Sequence, residues 1–87
     1  MLNLDITHDA LKFLEKLPPK QFRQIVNKIF DLLKDPRPQD AKRLTGYRHY
    51  WRVDIGEYRI VYRILQDTIK LAVVGKCNDD EVYKSFQ

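Results

Sequence analysis

The sequence predicts an α+β layer fold. An N-terminal strand leads into a two-helix hairpin and then a three-stranded antiparallel meander, with both helices packed on one sheet face. Three observations predict it. Apolar residues recur with a period near 3.6 from His8 to Asp35. From Tyr50 the period changes to 2. Gly56-Glu57 and Gln66-Asp67 then break the alternating run at hairpin spacing. Helices followed by strands, in 87 residues, fit one domain over 1–87 with two layers.

Each element has its own signal. Leu2, Leu4 and Ile6 alternate with Asn3 and Asp5, as in a short strand. Thr7 is suited to cap the first helix, with Asp9 in its first turn. Ala10, Phe13, Leu14 and Leu17 then extend that helix from about His8 to Leu17. Pro18-Pro19 ends it, and Pro19 suits the first turn of the next. The second helix carries a broad apolar stripe of Phe22, Ile25, Val26, Ile29, Phe30, Leu32 and Leu33, with Phe22 and Ile29 expected in the core. It stops near Asp35, since Pro36 and Pro38 cannot continue it. Residues 36–49 read as a loop with at most a short extended piece. Tyr50–Ile55, Tyr58–Leu65 and Thr68–Gly75 are the three later strands. Gly56 at the first central position points to a type II′ turn. Residues 78–87 form a polar tail, with a short helix starting near Asp79.

The turns set the register, and the register sorts the side chains. Residue 55 should oppose 58, 54 oppose 59 and 52 oppose 61. One face then holds Trp51, Val53, Ile55, Tyr58, Ile60, Tyr62, Ile69, Leu71 and Val73, which the helices should cover. The other holds Tyr50, Arg52, Asp54, Arg59, Val61, Arg63, Lys70, Ala72 and Val74. Two readings of that second face stand open. Asp54 and Arg59 form a cross-strand pair on a solvated face, worth roughly 0.2–1 kcal/mol. Or an uncovered sheet presents a guanidinium cluster to phosphate.

Charge favours an anionic partner without naming it. The net charge is +4. It is concentrated in residues 37–63, where Arg37, Lys42, Arg43, Arg48, Arg52, Arg59 and Arg63 face only Asp40, Asp54 and Glu57. Arginine's planar fork suits phosphate, and such a stripe is the footprint of a polyanion or simply a solvated basic surface. No apolar run reaches the ~18 residues of a membrane span. The start Met1-Leu2-Asn3-Leu4-Asp5 lacks a basic-then-apolar leader, and a single cysteine builds no disulfide framework. A reducing cytoplasm is the expected compartment.

Several chemistries lack their residues. His8 and His49 stand alone, so no metal site is expected. The glycines at 46, 56 and 75 form no phosphate loop. Asp79-Asp80-Glu81 reads as the start of a helix. Cys77 has no histidine partner and is a poor nucleophile candidate. Arginines, lysines and tyrosines remain. RNA brings its own nucleophile, the 2′-hydroxyl, so that set can cleave it by positioning the backbone, stabilising charge and moving protons.

Leu44-Thr45-Gly46, then Tyr50-Trp51-Arg52-Val53-Asp54-Ile55-Gly56-Glu57-Tyr58-Arg59-Ile60-Val61-Tyr62, then Val74-Gly75-Lys76 and Glu81-Val82-Tyr83, resembles the RelE branch of the RelE/ParE toxin superfamily. The likeness runs over essentially the whole chain. It implies a toxin of a type II toxin–antitoxin system, a ribosome-dependent endoribonuclease that cuts mRNA in the A site without a cofactor. It implies Arg59 at the scissile phosphate, Arg52 as a basic residue on the preceding strand, and Tyr83 near the 2′-hydroxyl. Lys42, Arg43, Arg48, Arg63, Lys70 and Lys76 are the candidate RNA contacts. The chain departs from the pattern twice. Asp54 stands where some members carry a second basic residue. Cys77 stands where the pattern leads to an arginine, which makes it an attenuating replacement, with Lys76 beside it as a partial substitute.

The same resemblance implies a cognate antitoxin as protein partner, operator DNA contacted only through that antitoxin, and no membrane. Two other functions stay open at this stage. One is a catalytically weak protein that binds its antitoxin and co-represses its operon. The other is a ParE-like inhibitor of DNA gyrase.

Overall fold

The computed structural model describes residues 1–77. The elements are β1 (Asn3–Ile6), α1 (His8–Glu15), α2 (Pro19–Lys34), β2 (Lys42–Arg43), β3 (Tyr50–Ile55), β4 (Tyr58–Leu65) and β5 (Thr68–Lys76). The sheet has five strands in the order β1-β5-β4-β3-β2, not the three of an isolated meander. β1 adds to one edge, parallel to β5, with Ile6 opposite Leu71. β2, the short extended piece of the long loop, adds to the other edge. Two residues carry too little alternation to announce a strand; pairing with β3 creates it.

Thr7 performs the predicted capping and more. Its Oγ1 accepts the Ala10 N–H at 3.3 Å and donates to the Ala72 carbonyl at 2.7 Å. The α1 helix ends two residues short of Leu17. There the Lys16 and Leu17 N–H groups turn to the Phe13 and Leu14 carbonyls, both at 3.2 Å, tightening the chain before Pro18. Pro19 opens α2, and Lys34 closes it ahead of Pro36.

The core lies between the helices and one sheet face. Ala10 and Leu14 of α1 and Ile25, Ile29, Leu32 and Leu33 of α2 pack on Val53, Tyr58, Ile60, Tyr62, Ile69, Leu71 and Val74. Phe22 is not part of it. It is 41 % exposed in the first turn of α2, and Phe30 is 50 % exposed on the helix flank. The apolar stripe is longer and wider than its cover, so its margin meets water.

The β3–β4 register matches the expectation: Ile55 faces Tyr58, Asp54 faces Arg59 and Arg52 faces Val61. Gly56 has φ +58°, as the first position of a type II′ turn needs. The β4–β5 register departs from it. Val61 pairs with Val73 while Tyr62 pairs with Leu71, leaving Ala72 as an extra residue. This bulge shifts the alternation by one. Val74 therefore enters the helix-covered core, and Val73 turns to the outer face, the reverse of the strict alternation.

That outer face is also not bare. Leu44, Val61 and Val73 form a second small core there, flanked by Tyr47, Tyr50 and Ala72. The chain between β2 and β3 folds across the sheet to build it. The Leu44 N–H donates to the Tyr50 carbonyl at 3.0 Å, and Gly46 (φ +85°) and His49 (φ +67°) turn the backbone.

Candidate functional site

The outer face next to the β3–β4 turn gathers the charged groups. Asp54 and Arg59 are directly opposed, and Gly75 follows on the far side of Arg59. The Arg59 Nε donates to Asp54 Oδ1 at 2.7 Å, and its Nη2 donates to Oδ2 at 3.3 Å. This fork-on-carboxylate geometry fixes the guanidinium plane. Arg59 is the better buried partner, with its side chain 15 % exposed against 46 % for Asp54. The bond from Arg59 holds the Asp54 carboxyl below its ordinary value, against the opposing effect of burial.

Cys77 completes the group. Its N–H donates to the Glu57 carbonyl at 2.9 Å, which ties the end of β5 to the β3–β4 turn. Its thiol lies close enough to the Asp54 carboxylate for each to shift the other's proton affinity. Burial first, and the Asp54 charge second, push the thiol up from its ordinary value. The sulfur is therefore held protonated at neutral pH, the opposite of what a nucleophile needs.

Arg52 lies two residue pairs along β3, opposite Val61 and diagonal to Arg59, and its charge also lowers Asp54. Lys42 faces Arg52 from β2 on the same side. So Lys42, Arg52, Arg59 and Cys77 share one face around Asp54. Other candidates lie elsewhere. Lys76 opposes Tyr58, a core residue, so pleating carries it to the face away from Arg59. It stands on the opposite face of the sheet from the Asp54–Arg59 pair. Arg43 opposes Trp51 and sits over its ring, 5.5 Å from the centroid. Arg63 pairs with Tyr50 and Lys70 in register and lies 5.7 Å from the Tyr50 ring centre. Arg48 is exposed in the loop before β3. Tyr83 lies outside the described residues. Sequence reasoning placed Tyr50 and Trp51 by face alone and missed them as platforms for arginine. The signal was present in the interleaved run Tyr47-Arg48-His49-Tyr50-Trp51-Arg52.

The face thus offers oriented guanidinium groups and a proton-bearing thiol, and residues 4–80 match the family model described as the ParE toxin of type II toxin–antitoxin system. The chain belongs to the RelE/ParE toxin superfamily. It is a RelE-like toxin of a type II toxin–antitoxin system. The toxin is 33 % identical to the RelE1 protein of Methanocaldococcus jannaschii, over 95 % of this chain and 96 % of that one. It resembles the crystal structure of the isolated E. coli RelE toxin with a TM-score of 0.78 and 27 % identity, covering 99 % of this toxin and 95 % of RelE. It also resembles a chain of the RelBE2 toxin–antitoxin complex from Mycobacterium tuberculosis, with a TM-score of 0.75, 28 % identity and coverage of 86 % and 96 %. The α+β frame is the one expected for the family, and Asp54 and Cys77 stand beside Arg59 on its outer sheet face.

Proposed function

We propose that this toxin is a ribosome-dependent endoribonuclease that cuts mRNA in the A site. The observation that carries the reading is the juxtaposition of Arg52 and Arg59 on neighbouring strands of one sheet face, with Arg59 oriented by Asp54. In the reaction the 2′-oxygen forms a bond to phosphorus, its proton passes to a base, and the 5′-oxygen leaves and takes up a proton. Arg59 would stabilise the phosphorane charge, Arg52 would position the backbone, and Tyr83 would assist at the 2′-hydroxyl. The protein partner is a cognate antitoxin, operator DNA is reached through it, and the compartment is the cytoplasm, where ribosomes are.

In this reading Cys77 attenuates the enzyme. A protonated thiol beside Asp54 supplies no guanidinium, and losing one transition-state donor typically costs about 10²–10³ in rate. The test is cleavage of mRNA on programmed ribosomes, mapped by primer extension. The native chain should cut weakly, Cys77→Arg should cut markedly faster, and Arg59→Ala should not cut. Absence of A-site cuts from both the native chain and Cys77→Arg would overturn the reading.

A second reading has one observation in its favour. Asp54 already occupies two donors of Arg59, which suits a catalytically weak protein that binds its antitoxin and co-represses its operon. Operator binding that requires the antitoxin, together with silent ribosomes, would establish it. Inhibition of gyrase supercoiling would instead assign the ParE-like activity.

A further inference from the structure

The described residues contain a second cationic site, away from the Arg59 cluster. A cavity of about 170 Å³ opens at the β2–β3 edge, lined by Arg37, Arg43, His49, Tyr50, Trp51 and Ile64. Three basic side chains and two aromatic rings surround it. We infer that this cavity binds one nucleotide of a single-stranded RNA, its base against the Arg43–Trp51 stack and its phosphate against Arg37, Arg43 and His49.

Five observations support this occupant. The volume is close to the ~150 Å³ known to accept a benzene-sized ring, so a pyrimidine fits. Arg43 stacked over Trp51 at 5.5 Å presents a flat cationic platform of the kind on which unpaired bases stack. The rim is held in place beforehand. The Tyr62 hydroxyl donates to the Pro36 carbonyl at 2.7 Å, and Asp35 Oδ1 accepts the Arg37 N–H at 3.2 Å, fixing the turn that carries Arg37. His49 keeps φ +67°, an unusual conformation for a residue with a side chain and one that collects at binding sites. Asp40, the acid closest in sequence to Arg43, is engaged by Lys28 at 2.8 Å.

The site also has a route to the cleavage face. Lys42 faces Arg52 on the outer side, and the next residue, Arg43, faces Trp51 on the other. The short β2 edge thus carries one cation on each face, and a strand lying on Arg59, Arg52 and Lys42 reaches the cavity by rounding that edge. Four residues of β3, about 13 Å, separate Tyr50 from Asp54, so the nucleotide held here is not the one being cut. An acidic peptide would satisfy the arginines but would leave the ring-sized, aromatic-walled space without a purpose.

The inference rests on the reading of this toxin as an RNA-cutting protein, and one experiment separates the two. Trp51 is the only tryptophan. Its emission is followed while a six-nucleotide single-stranded RNA with 2′-O-methyl sugars, which cannot be cleaved, is added; anisotropy of a labelled copy reports total binding. The expected result is saturable quenching that tracks the anisotropy. The double variant Arg37→Gln, Arg43→Gln should bind at least tenfold more weakly. Its plot of log affinity against log salt should be shallower by about 0.7 for each phosphate that the variant no longer neutralises. RNA binding without change in Trp51 emission, unaltered affinity of the double variant, no RNA binding at all, or equal quenching by a polyglutamate peptide would each overturn it. Ribosomal cleavage without quenching removes the cavity alone. Quenching without ribosomal cleavage removes the nuclease reading and leaves the cavity.

Discussion

Asp54 holds Arg59 through two hydrogen bonds across the β3–β4 pair, at 2.7 and 3.3 Å. The carboxylate therefore does two opposed things. It orients the guanidinium, and in the proposed nuclease it would compete with phosphate for it. Exposed cross-strand pairs are worth roughly 0.2–1 kcal/mol, so competition should outweigh the stability gained. Asp54→Asn should bind single-stranded RNA severalfold more tightly at low salt, with the gain shrinking as salt rises. Its melting temperature should fall by only a few degrees. Anisotropy titrations at two salt concentrations check the first, and calorimetry the second.

Acid should release the same pair. The Arg59 bond lowers Asp54 below its ordinary value near 3.8, and the Lys28 bond lowers Asp40 likewise. A depressed folded value means these contributions are complete above the unfolded carboxylate range and are lost as pH falls through the folded values. Thermal stability of the native chain relative to Asp54→Asn should stay constant above about pH 5 and shrink below about pH 4. A difference independent of pH down to about 2.5 would show that the pair contributes nothing by charge.

Cys77 should react slowly. Burial and the Asp54 charge both favour the thiol over the thiolate, and Arg59 opposes them. Alkylation by iodoacetamide at about pH 7.5 should run below the rate of a free small-molecule thiol. Asp54→Asn should accelerate it and Arg59→Ala should slow it further. Mass spectrometry of the time course is unambiguous, since the chain has one cysteine.

The two apolar residues expected together in the core should respond differently to truncation. Ile29 is buried between α2 and the sheet, whereas Phe22 is 41 % exposed. Ile29→Ala should cost about 2–5 kcal/mol. Phe22→Ala should cost well under half of that, because little of its surface is recovered from water. Urea unfolding of both variants makes the comparison.

The β4–β5 turn carries a removable strain. Gln66 has φ +51° at a position where glycine loses nothing sterically. Gln66→Gly should stabilise by up to about 1 kcal/mol, read as a rise of several degrees in melting temperature. An unchanged or lower value would mean that unfolded-state freedom of glycine cancels the gain.

Much of this was legible from residue order. Period 3.6 followed by period 2, with Gly56-Glu57 as the turn, was enough to oppose Asp54 and Arg59 and to put Arg52 on their face. Local signals also located the helix starts, since Thr7 and Pro19 act within one turn of themselves. The Val73–Val74 order was not legible. Two adjacent valines look alike to any pattern, and the bulge at Ala72 that exchanges their faces arises from pairing with β4. Phe22 was misplaced because a stripe records which residues are apolar, not how far the opposing sheet extends.

By itself the sequence determined the fold class, the β3–β4 register, the family likeness and the basic middle third, because each depends on spacing along the chain. Only the tertiary structure decided what those charges do. It locked Arg59 onto Asp54 at 2.7 Å, brought the Cys77 thiol beside the same carboxylate and turned Lys76 to the other face. It also paired β2 with β3, so that Lys42 and Arg43 face opposite sides of one edge. Electrostatic and hydrogen-bond energies depend on separation and orientation in space, and residues from three strands acquire those only when the sheet is assembled.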